Sequence, residues 1–164
     1  MNTAGSQLPV DEFQELAFEI FKVNGSLIRG GDRLVESLGL TSARWQILGA
    51  IMQSPRPQPV SWIAREIGGR RQNVQRIVND FERDGLVTFE TNPHHRRAHL
   101  IVVTELGSQT FRQAMELSAP WSAHAVQGVS SDDIAAALRM LQTIRANIES
   151  YTPANEANAI SSTT

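Results

Sequence analysis

Cysteine is absent from the 164 residues. That excludes disulfides, thiol nucleophiles, cysteine-based redox sensing and cysteine-ligated zinc. No apolar run approaches the length needed to cross a bilayer. The opening residues, MNTAGSQLPVDEF, lack a basic segment followed by an apolar core, so no secretory signal is expected and a cytoplasmic location is the expectation. Nucleophile elbows, phosphate-binding glycine loops and paired-carboxylate motifs are missing too, so neither enzymatic activity nor a cofactor is expected. One further scarcity is local. No acid occurs from Ile67 through Val78, a stretch that holds Arg70, Arg71 and Arg76. A helix face that is merely solvated mixes both signs of charge.

What remains is an ordinary globular composition, 41% hydrophobic and 20% charged, at a length sufficient for one domain with a real core. The net charge of −2 conceals an uneven distribution. Residues 56–100 hold eight arginines and five acids, a net of +3, between flanks that are both acidic. A basic middle between acidic ends separates a polyanion-facing module from a scaffold.

Apolar residues recur at intervals of three and four from residue 11 to about residue 37 (Phe13, Leu16, Ala17, Ile20, Phe21, Leu27, Ile28, Leu34), predicting one long helix or two joined at Gly30-Gly31. Thr41 is placed to cap a second helix, ended by the run SPRPQP, and Ser61 to cap a short third. Gly68-Gly69 is the expected turn. Val74, Ile77, Val78 and Phe81 then give the i, i+3, i+4, i+7 stripe of a fourth helix, stopped by Gly85. Residues 86–91 and 99–103 alternate as two strands, and Asn92-Pro93 opens the turn between them. Thr104 caps a fifth helix. Ser130 with Asp133 resembles a capping box before a last amphipathic helix containing Ile134, Leu138, Leu141, Ile144 and Ile148.

A tight helix pair needs a small residue at the contact, glycine at the reversal and apolar residues on the inner face of its second helix. Ala64, Gly68, Val74 and Ile77 meet these needs, although a plain helical hairpin would need them as well. The outer face of the second helix favours nucleic acid. Arg70, Arg71, Gln72, Asn73, Gln75, Arg76 and Asn79 surround its amino-terminal half, arginine suiting guanine acceptors and the amides suiting adenine. Asp80, Glu82 and Asp84 are expected at the far end, away from the DNA. Arg96 and Arg97 at the hairpin tip fit a wing that grips phosphate or a minor groove. His94, His95 and His99 cluster in sequence, but a hairpin with no adjacent carboxylate or thiol is a poor tetrahedral site, and no metal is expected.

Taken together, these residues resemble the MarR family of bacterial winged-helix regulators over about residues 11–150. The signatures are Leu38-Gly39-Leu40-Thr41, Ile63-Ala64, the run RRQNVQRIVNDFERDGLV, and RRAHLIVVTELG, with Val103 where the family has leucine. The implied fold is mainly α with a small β-hairpin wing: a winged helix-turn-helix head at residues 41–104 and a helical dimerisation base from residues 11–40 and 105–151. Residues 1–10 and 152–164 are expected to be disordered ends.

The resemblance implies a homodimer that binds a pseudo-palindromic double-stranded operator and represses transcription until a small aromatic or anionic effector releases it. The candidate DNA contacts are Ser61, Arg70, Arg71, Gln72, Asn73, Gln75, Arg76, Arg96 and Arg97. The candidate effector pocket, at the junction of base and head, comprises Phe21, Ile28, Arg29, Arg44, Trp45, Phe111 and Met115. Two positions depart from the family pattern: His95 stands where an acid normally holds the wing arginine, and Arg70-Arg71 replace the usual Ser or Thr at the start of the recognition helix. The alternative is a winged helix that docks on protein and has no DNA-binding role.

Overall fold

The computed structural model describes residues 9–93, 95 and 97–151; the expected disordered ends fall almost wholly outside that range. Six α-helices and a small antiparallel sheet follow one another as α1 (Val10–Val35), α2 (Ser42–Gln53), β1 (Gln58–Pro59), α3 (Val60–Glu66), α4 (Arg71–Arg83), β2 (Val87–Glu90), β3 (Leu100–Val103), α5 (Glu105–Ala125) and α6 (Ser131–Ser150). A short 3₁₀ turn, Glu36–Leu38, joins α1 to α2. Among the described residues no helix is long and apolar enough to cross a membrane. The chain divides after Trp121 into two compact units.

The first unit is built on the periodicity of α4. Val74, Ile77, Val78 and Phe81 all turn inward and meet Leu48 of α2, Ile63 of α3 and Ile101 of β3 in one core. Ala64 is buried against α4, and the reversal between α3 and α4 closes with the Gly69 amide donating to the Ala64 carbonyl at 2.8 Å. Gly68 adopts φ +64° there, a conformation that penalises any side chain with a Cβ. At the other end of α4, the Leu86 amide donates to the Phe81 carbonyl at 2.8 Å and turns the chain into β2.

The caps at Thr41 and Thr104 form as the sequence predicts. The Arg44 amide donates to Thr41 Oγ1 at 3.3 Å, and the Gly107 amide to Thr104 Oγ1 at 3.0 Å. Ser61 does not cap α3. That helix starts two residues earlier than a Ser61 cap implies, from an extended Pro59 with no side-chain cap, and Ser61 lies inside its first turn. The reason is a strand inside the proline-containing run that was expected only to end α2. Gln58 and Pro59 pair with Ile101 and Leu100, so the wing is a three-stranded sheet in the order β1-β3-β2 rather than a simple hairpin. Proline is tolerated because β1 is an edge strand, where one missing donor costs little.

Gly30-Gly31 does not divide the first helix; α1 runs unbroken through it. The glycines instead allow close packing. A methyl group on Gly30 would lie 2.9 Å from the Trp121 ring, and one on Gly31 would collide with Ser42 Oγ. Ser42 is buried and ties α2 to α1 twice: its amide donates to Asp32 Oδ1 (2.6 Å) and its hydroxyl to the Ile28 carbonyl (2.8 Å).

Pro120 withholds one amide from the hydrogen-bond ladder of α5, one residue before the two units part. In the second unit, Ser130 caps α6 by accepting from the Asp133 amide at 3.1 Å. Asp133 returns the contact by accepting from the Ser130 hydroxyl (2.6 Å), a variant of the expected capping box. Considered alone, α6 buries none of its residues, and Ile134, Leu138, Leu141 and Ile148 are exposed.

Candidate nucleic-acid interface

The burial of Val74, Ile77, Val78 and Phe81 fixes the direction of everything else on α4. Arg71, Gln75, Asn79 and Glu82 follow at helical spacing and line one wall of a groove of about 470 Å³. Ser61 of α3 and Phe89, Arg97 and His99 of the wing also line it. Three elements distant in sequence thus place an arginine, two amides, a hydroxyl and a second arginine around one concave surface. Phe89 and His99 meet edge to face, with ring centroids 6.2 Å apart, which stiffens the wing beneath Arg97.

The candidate contacts divide between two surfaces. Ser61, Arg71, Gln75 and Arg97 converge in the groove. Arg70, Gln72, Asn73 and Arg76 are exposed outside it, on the amino-terminal half of α4 or just before it. Arg70 occupies the N-cap position and makes no side-chain cap, so the helix opens with unsatisfied backbone donors and positive side chains together. Hydrogen bonds preorganise the polar face: Gln75 donates to Asn79 at 2.9 Å and Arg76 to Asn73 at 3.2 Å. Arg97 is exposed and has no carboxylate partner among the described residues, in keeping with His95 standing where an acid was expected. Arg96 lies outside the described residues.

The acids at the end of α4 are closer to this surface than the sequence reading expected. Glu82 lines the groove itself. Asp80 lies 3.8 Å from Arg76 and 2.7 Å from Arg83. One α-helical turn is only about 5 Å of rise, so carboxylates at positions 80 and 82 cannot be remote from amides at 75 and 79. Asn79 also belongs to the groove, and its signal was already in the sequence: it lies four residues beyond Gln75, on the same helical stripe.

A second cavity, of about 610 Å³, lies between α2, α3 and α5. Trp45, Phe111 and Met115 line it, as the sequence reading placed them. The other four candidates do not. Phe21 is 71% exposed on α1, Ile28 is also exposed, and Arg29 donates to Ser26 of its own helix at 3.2 Å. Arg44 turns the opposite way. It pairs with Asp84, and its guanidinium carbon sits 5.1 Å over the Phe81 ring, so it joins α2 to the end of α4. A half-buried guanidinium gains from both a counter-charge and a flat surface, which Asp84 and Phe81 supply, while Arg44 Nε is left without a hydrogen-bond partner. Trp62 of α3 takes part in the wall and was missed, because it lies beside the inward positions Ile63 and Ala64 rather than on their stripe.

Comparison with known proteins agrees with this fold. The MarR family model matches residues 38–98. A protein of Mycobacterium tuberculosis is 38% identical over 106 residues, covering 65% of this chain and 73% of the other. The transcriptional activatory protein BadR of Rhodopseudomonas palustris is 32% identical over 94 residues, 56% of this chain and 54% of BadR. Among solved structures, the transcriptional repressor CouR bound to a 23-mer DNA duplex aligns with a TM-score of 0.71 at 25% identity, covering 85% of this chain and 99% of that one. A CouR from Rhodococcus jostii RHA1, bound to p-coumaroyl-CoA, aligns with a TM-score of 0.72 at 20% identity, covering 79% of this chain and 90% of that one.

Proposed function

Because the chain belongs to the MarR family, we propose that it is a sequence-specific, double-stranded DNA-binding transcriptional regulator that acts as a homodimeric, ligand-responsive repressor on a pseudo-palindromic operator. The observation that carries this reading is the groove in which Arg71, Gln75 and Ser61 of the helical head face Arg97 of the wing. The exposed start of α4 enters a major groove, where its arginines and amides read base edges. The wing arginine follows the backbone or the adjacent minor groove and contributes position more than sequence. Asp80 holds Arg76 and Arg83 in the free protein, and it and Glu82 repel phosphate, which limits non-specific attachment.

Dimerisation follows from apolar surface that the single chain leaves open. On α1, Phe13, Phe18, Phe21 and Leu27 are exposed, and α6 by itself exposes a further apolar set. A two-fold operator needs a two-fold reader. Release by a small molecule requires the ligand to favour one arrangement of the dimer over another, and the cavity beside Trp45 is the surface on which it acts. Structural neighbours solved with a 23-mer DNA duplex and, separately, with a small molecule support the pairing of the two activities.

Sedimentation equilibrium tests the assembly. The full chain is expected to be a dimer at micromolar concentration and to form a complex of one dimer per duplex with DNA from upstream of its own gene. A monomer that binds such DNA tightly at one copy per duplex contradicts the reading.

A further inference from the structure

We propose that the cavity between α2, α3 and α5 takes an aromatic cation, and that Glu66 selects its charge. This rests on the reading of the protein as a ligand-responsive regulator and departs from the aromatic acid that the family resemblance implies. Three aromatic side chains from three helices, Trp45, Trp62 and Phe111, wall the cavity, and Met115 adds a polarisable thioether. Among the described lining residues, Glu66 is the single charged group. Neither arginine expected to meet an anion lines the cavity: Arg44 pairs with Asp84 over the Phe81 ring, and Arg29 contacts Ser26 on α1. The polar remainder leans the same way. Gln53 and Ser54 bring the carboxyl-terminal end of α2 to the wall, the negative end of its dipole. Ser54 spends its hydroxyl proton on the Ala50 carbonyl at 3.2 Å, leaving oxygen lone pairs to the cavity.

An anion entering here would lose water and meet a carboxylate with no counter-charge. A cation with a flat apolar body meets aromatic faces, whose ring quadrupoles attract positive charge, and a carboxylate at the rim. The volume, about 610 Å³, is that of a site for a small organic molecule.

The test uses three probes of similar size that differ in charge. Phenyltrimethylammonium is the cation, tert-butylbenzene its neutral isostere and benzoate the anion. Intrinsic fluorescence reports binding, since Trp45 and Trp62 line the cavity. Phenyltrimethylammonium is expected to bind about tenfold more tightly than tert-butylbenzene, with benzoate weakest. Glu66→Gln should remove most of the cation's advantage and leave tert-butylbenzene unchanged, and Trp45→Phe and Trp62→Phe should each remove part of the signal. Tighter binding of benzoate, equal binding of cation and isostere, indifference to Glu66→Gln, or silence of the two ions at millimolar concentration and of tert-butylbenzene at its solubility limit would each overturn the proposal. The titration contains no DNA, so these failures leave the DNA-binding reading standing, and a failure to bind DNA leaves the titration interpretable.

Discussion

A protein carrying Arg71→Ala and Arg76→Ala together is expected to bind its operator about 2–6 kcal/mol more weakly, from about 1–3 kcal/mol at each base- or phosphate-contacting arginine. That is a loss of roughly 30-fold to more than 10⁴-fold. Addition of the two effects is justified because the side chains share no partner: Arg71 lines the groove, and Arg76 contacts Asn73 and Asp80 on another side of α4. The change should leave the fold intact. Both residues are exposed, and Asp80 keeps Arg83 at 2.7 Å when Arg76 is removed, so no carboxylate is stranded. Electrophoretic mobility shift reads the affinity and far-UV circular dichroism the fold. Wild-type binding by the double variant would mean that α4 does not face DNA.

Phe81→Ala should have the largest effect on stability. Phe81 is 0% exposed, lies on the inner stripe of α4 and carries the Arg44 guanidinium on its ring. Removing a buried phenylalanine costs about 3–5 kcal/mol through lost transfer energy and the cavity left behind. Total stabilities are only about 5–15 kcal/mol, so the head would be left marginal. Arg44 would also lose the surface that holds it against Asp84, separating α2 from the end of the recognition helix. Urea denaturation followed by circular dichroism is expected to show a large fall in midpoint, and DNA binding should fail with it. A midpoint within error of wild type would show that the core is centred elsewhere.

Features set by local chemistry were legible in the sequence. The α4 stripe, the threonine caps at positions 41 and 104, the Ser130 cap and the positive-φ glycine between α3 and α4 all follow from residues within a few positions of one another. What escaped depends on partners far along the chain. Gln58 and Pro59 become a strand only because Leu100 and Ile101 lie alongside, and that pairing moves the start of α3 and deprives Ser61 of its capping role. Gly30 and Gly31 look like a break until Trp121 and Ser42 are seen to press against them. Arg44 looks available to an anion until Asp84, forty residues away, claims it.

The candidate interface divides along the same line. Arg71, Gln75 and Asn79 could be placed on one face by helical spacing alone. Their convergence with Arg97 and Ser61 needed the three-stranded wing to fold back against α4. Glu82 continues that helical stripe, whereas the inclusion of Trp62 in the second cavity was visible only when its walls were assembled from three helices.

The central claim, that this head reads a defined sequence in double-stranded DNA as a dimer, is tested most directly by nuclease footprinting of the region upstream of the gene, with random DNA in excess. The account predicts one protected site with two-fold symmetry, its half-sites about one helical turn or a small multiple apart, and protection lost with Arg71→Ala/Arg76→Ala. Uniform protection that yields to the random competitor, or no protection at all, would contradict it.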